Sequence, residues 1–384
     1  MSEMTSRQRV LKTLSHKEPD RIPFDLGSTL VTGITKNAYI NLARSLGEEV
    51  NQVQLYDTIQ QLPVVQENIL KRLEVDIRGL IPNFARKNPH LENNGDSFSF
   101  TDEWGVKWKM PKGALYFSMT DCPFSGNVSA KDIDDFPWPD PANPALFEGL
   151  EEKAKDYHQA GYAVILENLC AGIFEMSCRV RGTEQFYMDL VTNQDMACKL
   201  LDKFTELKIQ FYKAASEKLG NYVQFIREVD DLAGQDALLM SPQMYRDLIK
   251  PKHKQLFEAQ RQYFPPPFYV WFHSDGAIYD IIPDFIEIGV DVLNPIQLTA
   301  KGMDPEKLKA EYGKDISFWG GGVNTQHILV KADPNQVRQN VKERIEQLAP
   351  GGGFVFGTVH NIQDDVPVEN ITAMIETFKE LRNY

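Results

Sequence analysis

The stretch FYVWFHSDG, residues 268–276, decides how the chain is read. Phe268 to Phe272 are too few, and too rich in aromatic and β-branched side chains, for a free-standing helix, and they end abruptly in His273, Ser274, Asp275 and Gly276. That is the pattern of a buried strand delivering polar groups at its carboxyl end. Beyond Gly276, Ile278, Ile281, Ile282, Phe285 and Ile288 fall on one helical face, and VDVLNPIQ at 290–297 reads as the next short strand. Strand, polar tip, helix and strand make one βα unit of a parallel sheet, a fold that binds ligands at the carboxyl ends of its strands.

Working outward, short apolar strands are expected near Ile22, Asp76, Ala163, Val223, Phe268, Val290, Ile316 and Phe354, mostly separated by amphipathic helices. Eight alternating units predict a (β/α)8 TIM barrel spanning residues 1–384 as a single domain. The competing doubly wound sheet favours a glycine-rich phosphate loop early in the chain, and none is there. Helices are expected over Thr58 to Leu73, Gln194 to Leu219 and after Ser241, which caps a helix with Pro242 in its first turn. Residues 96–120 interrupt the alternation, and their apolar-polar pattern across PKG predicts an inserted β-hairpin that acts as a flap. Trp104 and Trp108 would share one face of it, able to cover an apolar or aromatic ligand.

The net charge of −13 argues against a nucleic-acid partner, whose phosphates demand a basic surface. Cys122, Cys170, Cys178 and Cys198 lack disulfide-framework spacing, so reduced thiols in a cytoplasm are expected. No apolar run approaches a membrane span, and the polar start has no signal-peptide core. The expectation is a cytoplasmic protein without a membrane partner, with a homodimer left open.

Superposing the strand tips gives a polar ring of Asp25, Glu167, Asn168, Glu228, Asp231, His273, Asp275, Asn294, Gln297, Trp319, Asn324, His360 and Asn361. Carboxylates and imidazoles do not belong in a barrel interior of Val, Ile and Leu, so the ring is placed at the mouth. For single members such as Asp25 or Asp231, helix capping is an equally good reading. For His273 the bland alternative is a buried imidazole satisfied by backbone. The sharper reading is a metal site. His273 and Asp275 can converge on one turn, His360 arrives from the last strand, and two nitrogens with one oxygen suit zinc with an open position. The glycine triplets at 320–322 and 351–353 lack phosphate-loop spacing and read as chain turns.

KEPDRIPFDLG near the start, LLMSPQMYRDLIKPKHK, FHSDG, GVDVLNPIQ, WGGG and GTVHNIQDDVPVENI together resemble the uroporphyrinogen decarboxylase superfamily nearly end to end. The resemblance implies a (β/α)8 barrel with its site at the strand carboxyl ends. The decarboxylases carry an arginine-rich motif of the type RQAGRYLPEY near the amino terminus, where this chain has PFDLGSTLVTG. The corrinoid-dependent methyltransferases of the superfamily include members that bind zinc through HxCG and a later cysteine in a GCG turn. FHSDG matches the first element with Asp275 in the cysteine place, and alignment back from PVEN puts His360 in the place of the second. Exchange of both thiolates moves the implied chemistry from sulfur towards oxygen-bound methyl groups.

The resemblance therefore implies a methyltransferase taking a methyl group from a small methylated donor, a methoxylated aromatic above all, to the corrinoid of a partner corrinoid protein. His273 and Asp275, with Glu167, Glu228 and Asp231, are the expected catalytic residues. Asn168, Asn294, Gln297, Trp319, Asn324 and Asn361 would bind substrate, Trp319 by stacking, and His273, Asp275 and His360 would hold zinc. A porphyrinogen-type decarboxylase is the first alternative; it would need Arg21, Arg78, Arg179, Arg181 and Arg227 clustered at the mouth. A non-catalytic barrel that binds ligand or corrinoid protein is the second.

Overall fold

The computed structural model describes residues 4–50 and 52–384. Seven parallel strands follow one another in space as they do in the chain: β1 (Ile77–Leu80), β2 (Ala163–Leu166), β3 (Phe225–Val229), β4 (Tyr269–His273), β5 (Val292–Asn294), β6 (Ser317–Trp319) and β7 (Phe354–Val355). The eighth stave is the extended segment 22–25. Asp25 N donates to Phe356 O and Phe356 N to Pro23 O, both at 2.9 Å, while Asp76 N donates to Phe24 O at 2.9 Å on the other side. These bonds join β7 to β1 and close the barrel, as the strand count predicts.

Because side chains alternate along a strand, each stave has an inward and an outward set. Ile77, Ala163, Ile165, Phe225, Trp271, Val292, Trp319 and Val355 pack together inside, with Val10 and Leu14 of helix Ser6–Leu14 at the amino-terminal end. On β4, Tyr269, Trp271 and His273 share this inward parity, so His273 forms the top layer above Trp271. The outward residues meet the helices in one larger apolar cluster. The capping expected at Ser241 is present: its hydroxyl accepts from Met244 N at 3.1 Å, with Pro242 in the first turn.

Two expectations change. The insertion is a four-stranded antiparallel meander, Glu92–Asn93, Ser97–Thr101, Lys107–Pro111 and Ser118–Asp121, and not a hairpin. Trp104 consequently lies in the second turn, between Ser97–Thr101 and Lys107–Pro111, and only Trp108 on a strand; Asp102 orders that turn by accepting from Trp104 N, Val106 N and Trp108 Nε1. The helix expected from Thr58 exists only as Glu67–Leu73, preceded by the short antiparallel pair Leu55–Asp57 and Leu62–Pro63. Pro63 has no amide hydrogen and cannot sit inside a helix.

The four cysteines are free, and no helix among the described residues is long and apolar enough to cross a membrane.

Candidate active site

His273, Asp275 and His360 each offer a ligand atom, and the three atoms lie within 4.8 Å of one another at the carboxyl end of the barrel. The orientation of His273 is set from behind. Asn294 Nδ2 donates to Trp319 O at 2.7 Å, which fixes the amide, and Asn294 Oδ1 therefore accepts from His273 Nδ1 at 2.6 Å. That assigns the ring proton to Nδ1 and leaves the Nε2 lone pair towards Asp231 Oδ1, 3.7 Å away, and Asp275 Oδ2, 3.8 Å away. Asp275 Oδ1 is buried without a partner, and the His360 ring packs against that of His273 with centroids 5.6 Å apart. The turn that delivers Asp275 depends on Gly276, whose φ is +94° and where a Cβ would meet Ala233 O at 2.5 Å.

Burial pushes both imidazoles down to about 4, so they are neutral lone-pair donors at physiological pH. Burial raises the Asp275 carboxyl, and Asp231 is driven well above the usual carboxylate range by burial and then by the carboxylates of Glu175 and Asp275. The Asp231 side chain is 38% exposed and lines the smaller of the two cavities that meet here. Two neutral imidazoles, a carboxyl oxygen with no partner and an outer layer that orients the ring suit a divalent cation such as zinc. Cys170 lies on the cavity wall, yet its thiol is raised to about 11 by burial and offers no ready thiolate.

Two cavities meet at this cluster. One, of about 210 Å³, is walled by Trp104, Trp108, Cys170, Arg86, Arg179 and Arg227 and reaches His273, Asp231 and His360. The other, of about 480 Å³, is lined by Asp275, Gln297, Asn324, Gln326, His360 and Asn361. His360 belongs to both walls.

Other ring members lie elsewhere. Glu228 and Asn168 have outward parity: Asn168 Nδ2 donates to Glu228 Oε2 at 2.6 Å, and Lys208 and Tyr212 also bond Glu228, all buried behind the sheet. Neither faces the cavities. Glu167 points inward but is engaged by Arg227 and by Leu30 N at 3.0 Å, so it positions the wall. Trp319 is fully buried and donates from Nε1 to Asp25 at 2.9 Å, which removes it as a stacking surface. Gln297 accepts from Gly276 N at 2.6 Å, Asn324 caps the turn at His327 N at 3.0 Å, and Asn361 holds Gly33 N and Leu30 O at 2.6 and 2.8 Å. All three still border the larger cavity. Sequence reasoning missed Arg86 on its loop, where no periodic pattern marks it.

Asp25 supplies a pH test. Its buried carboxyl, with Oδ1 unpartnered, is raised to about 6 by burial. A folded-state value above the unfolded one gives stability that is present below about pH 4 and lost as pH rises through about 6. Urea melts at pH 4 and pH 7 should therefore show Asp25→Asn gaining up to about 3 kcal/mol on wild type between the two.

The architecture is a closed parallel barrel with a metal-ligand type of cluster at its carboxyl mouth. A family model described as uroporphyrinogen decarboxylase (URO-D) matches residues 114–381. The chain belongs to the uroporphyrinogen decarboxylase family. Among curated relatives, it is 22% identical to a uroporphyrinogen decarboxylase of Thermus thermophilus over 183 residues, 48% of each chain. It is also 22% identical to a methylated-thiol–coenzyme M methyltransferase of Methanosarcina mazei over 256 residues, 64% of this chain and 62% of the other. The chain thus matches about half to three-fifths of the length of these relatives. Among solved structures, a methyltransferase from Methanosarcina mazei superposes with a TM-score of 0.67 at 18% identity, covering 98% of this chain and 99% of that one. The homologues are enzymes of two kinds, methyltransferase and decarboxylase.

Proposed function

We propose that the protein is a corrinoid-dependent methyltransferase that takes a methyl group from a small methylated donor, a methoxylated aromatic being the donor this site suits, to the cobalt of a separate corrinoid protein. The observation that supports it most is the place of the His273, Asp275 and His360 cluster, between a tryptophan-walled cavity and a wider one. A displacement needs its donor and its nucleophile on opposite sides of the transferred carbon. The cavity of about 210 Å³ takes a single substituted ring, with Trp104 and Trp108 beside it.

His273, Asp275 and His360 would hold zinc, which when bound supplies Lewis acidity at the ether oxygen. In the reaction the methyl–oxygen bond breaks with its electron pair left on oxygen, and the reduced corrinoid contributes the pair that forms the methyl–cobalt bond. The proton for the leaving oxygen is assigned to Asp231, whose carboxyl is raised by burial and then by the carboxylates of Glu175 and Asp275; the imidazoles, neutral at physiological pH, do not supply it.

The decarboxylase alternative needs free arginines for many carboxylates. Arg21 is spent on Asp76 at 2.7 Å, Arg78 on Glu67 at 2.9 Å, Arg181 on Asp189 at 2.7 Å and Arg227 on Glu167. Arg179 has only a 3.4 Å contact with Glu175 and stands 5.7 Å from the Trp108 ring centroid, free to meet one carboxylate on a donor ring. Arg179→Gln is expected to raise KM about tenfold for carboxylated methoxyarenes and to leave uncharged ones unchanged, as steady-state phenol release would record. The reading itself is tested by phenol release that depends on a reduced corrinoid protein; its absence, with turnover of uroporphyrinogen instead, would sink it.

A further inference from the structure

Outside β1 lies a third cavity of about 110 Å³. Val65, Leu70, Ile81 and Leu150 form an apolar wall, and Lys87, Lys153 and Tyr157 bring cationic and hydroxyl groups to it. Lys153 is on helix Leu150–Gln159; Lys87 ends the short turn Ala85–Lys87. Among the described residues, neither ammonium has a hydrogen-bond or ion-pair partner. Arg78, the third cation on the wall, is already satisfied by Glu67 through bonds of 2.9 and 3.0 Å and by the carbonyls of Val75 and Ile77.

This arrangement runs against the composition. The chain has 54 acidic residues for 41 basic ones, yet no carboxylate lines this cavity. Half-burying two ammonium groups beside a single carboxylate, Glu67, that is already bonded to Arg78 is unfavourable twice over, through lost hydration and through mutual repulsion. Both effects register on Lys153, which burial and then Lys87 hold below the ordinary lysine value. An anion between them would relieve both, and Tyr157 would add a third donor. The space corresponds to only three or four water molecules by volume (~30 Å³ each), so the ligand is small.

We propose that this cavity is a binding site for a small oxyanion, a phosphate or a short-chain carboxylate, held between Lys87 and Lys153. It does not depend on the methyltransferase reading. It does lie one residue from the donor cavity, since Arg86 and Lys87 are neighbours on the same turn and line different cavities.

The test titrates the full chain with inorganic phosphate and, separately, with propionate at constant ionic strength, following the melting temperature. A saturable rise with at least one anion is expected, with apparent affinity weakened at least about tenfold in Lys87→Met and in Lys153→Met. Response to phosphate alone or to propionate alone identifies which oxyanion the site takes. Lys153→Met keeps the aliphatic stem and removes an unpaired ammonium, so in anion-free buffer it should melt no lower than wild type. If that variant fails to fold, Lys87→Met, on a loop, carries the test. No saturable rise with either anion, or a rise that persists unchanged in the variants that fold, would overturn the proposal.

Discussion

His360→Ala is expected to fold like wild type, lose tight zinc binding, and transfer methyl groups at least about a hundredfold more slowly. The His360 ring borders both cavities, so its removal sacrifices little packing. What it does remove is one of two neutral imidazole nitrogens within 4.8 Å of a common partner, and two remaining ligands hold a divalent cation far less well than three. Zinc content after dialysis against a mild chelator reads this without reference to activity: about one per chain in wild type, near zero in the variant. Asn294→Leu provides a graded comparison. It leaves all three ligands but frees the His273 ring from the 2.6 Å bond that fixes its tautomer, and loss of such an orienting partner costs about 10- to 100-fold in affinity or rate. Unchanged zinc content in His360→Ala would remove this residue from the ligand set.

Lys208→Met is expected to cost about 3–5 kcal/mol in stability, the usual result of leaving one member of a buried ion pair uncompensated. Lys208 and Glu228 are both buried, and Glu228 also receives Tyr212 and Asn168. Without the ammonium, its carboxylate faces only neutral donors in a dry layer between sheet and helices. The double variant Lys208→Met with Glu228→Gln removes both charges and should recover most of the loss, because a neutral amide can still bond Tyr212 and Asn168. Urea denaturation measures the cycle. If instead Glu228→Gln left stability untouched and abolished turnover, Glu228 would be catalytic as its sequence position suggests, and its placement behind the sheet would be contradicted.

Glu228 also shows where sequence reading stopped. The eight staves were legible because each is a short apolar run ending in polar residues, and the FHSDG tip placed His273 and Asp275 correctly beside His360. Treating every polar residue at a strand end as part of one ring ignored the two-residue period of a strand. On β3, Phe225, Arg227 and Val229 point inward and Glu228 outward; just past the end of β2, Glu167 points inward and Asn168 outward. Counting parity from the neighbouring apolar residues would have exchanged Glu228 for Arg227. Trp319 has the correct parity but sits a layer too deep, against Trp271 with ring centroids 6.0 Å apart. Depth within a barrel depends on stagger between strands, which no single segment encodes. Arg86 and the insertion's meander depend on loop geometry, where local patterns carry least.

The central claim, methyl transfer from an oxygen-bound donor to a corrinoid protein, is most directly tested by single-turnover mixing. The zinc-loaded protein, a partner corrinoid protein in its cob(I)alamin state and a panel of methoxyarenes, methylamines and methanol are combined without oxygen, and the visible spectrum is followed. Conversion of cob(I)alamin to methylcobalamin with at least one methoxyarene, one methyl per cobalt, and conversion at least about a hundredfold slower with His360→Ala is the predicted result. No spectral change with any donor, alongside consumption of uroporphyrinogen by the same preparation, would contradict it.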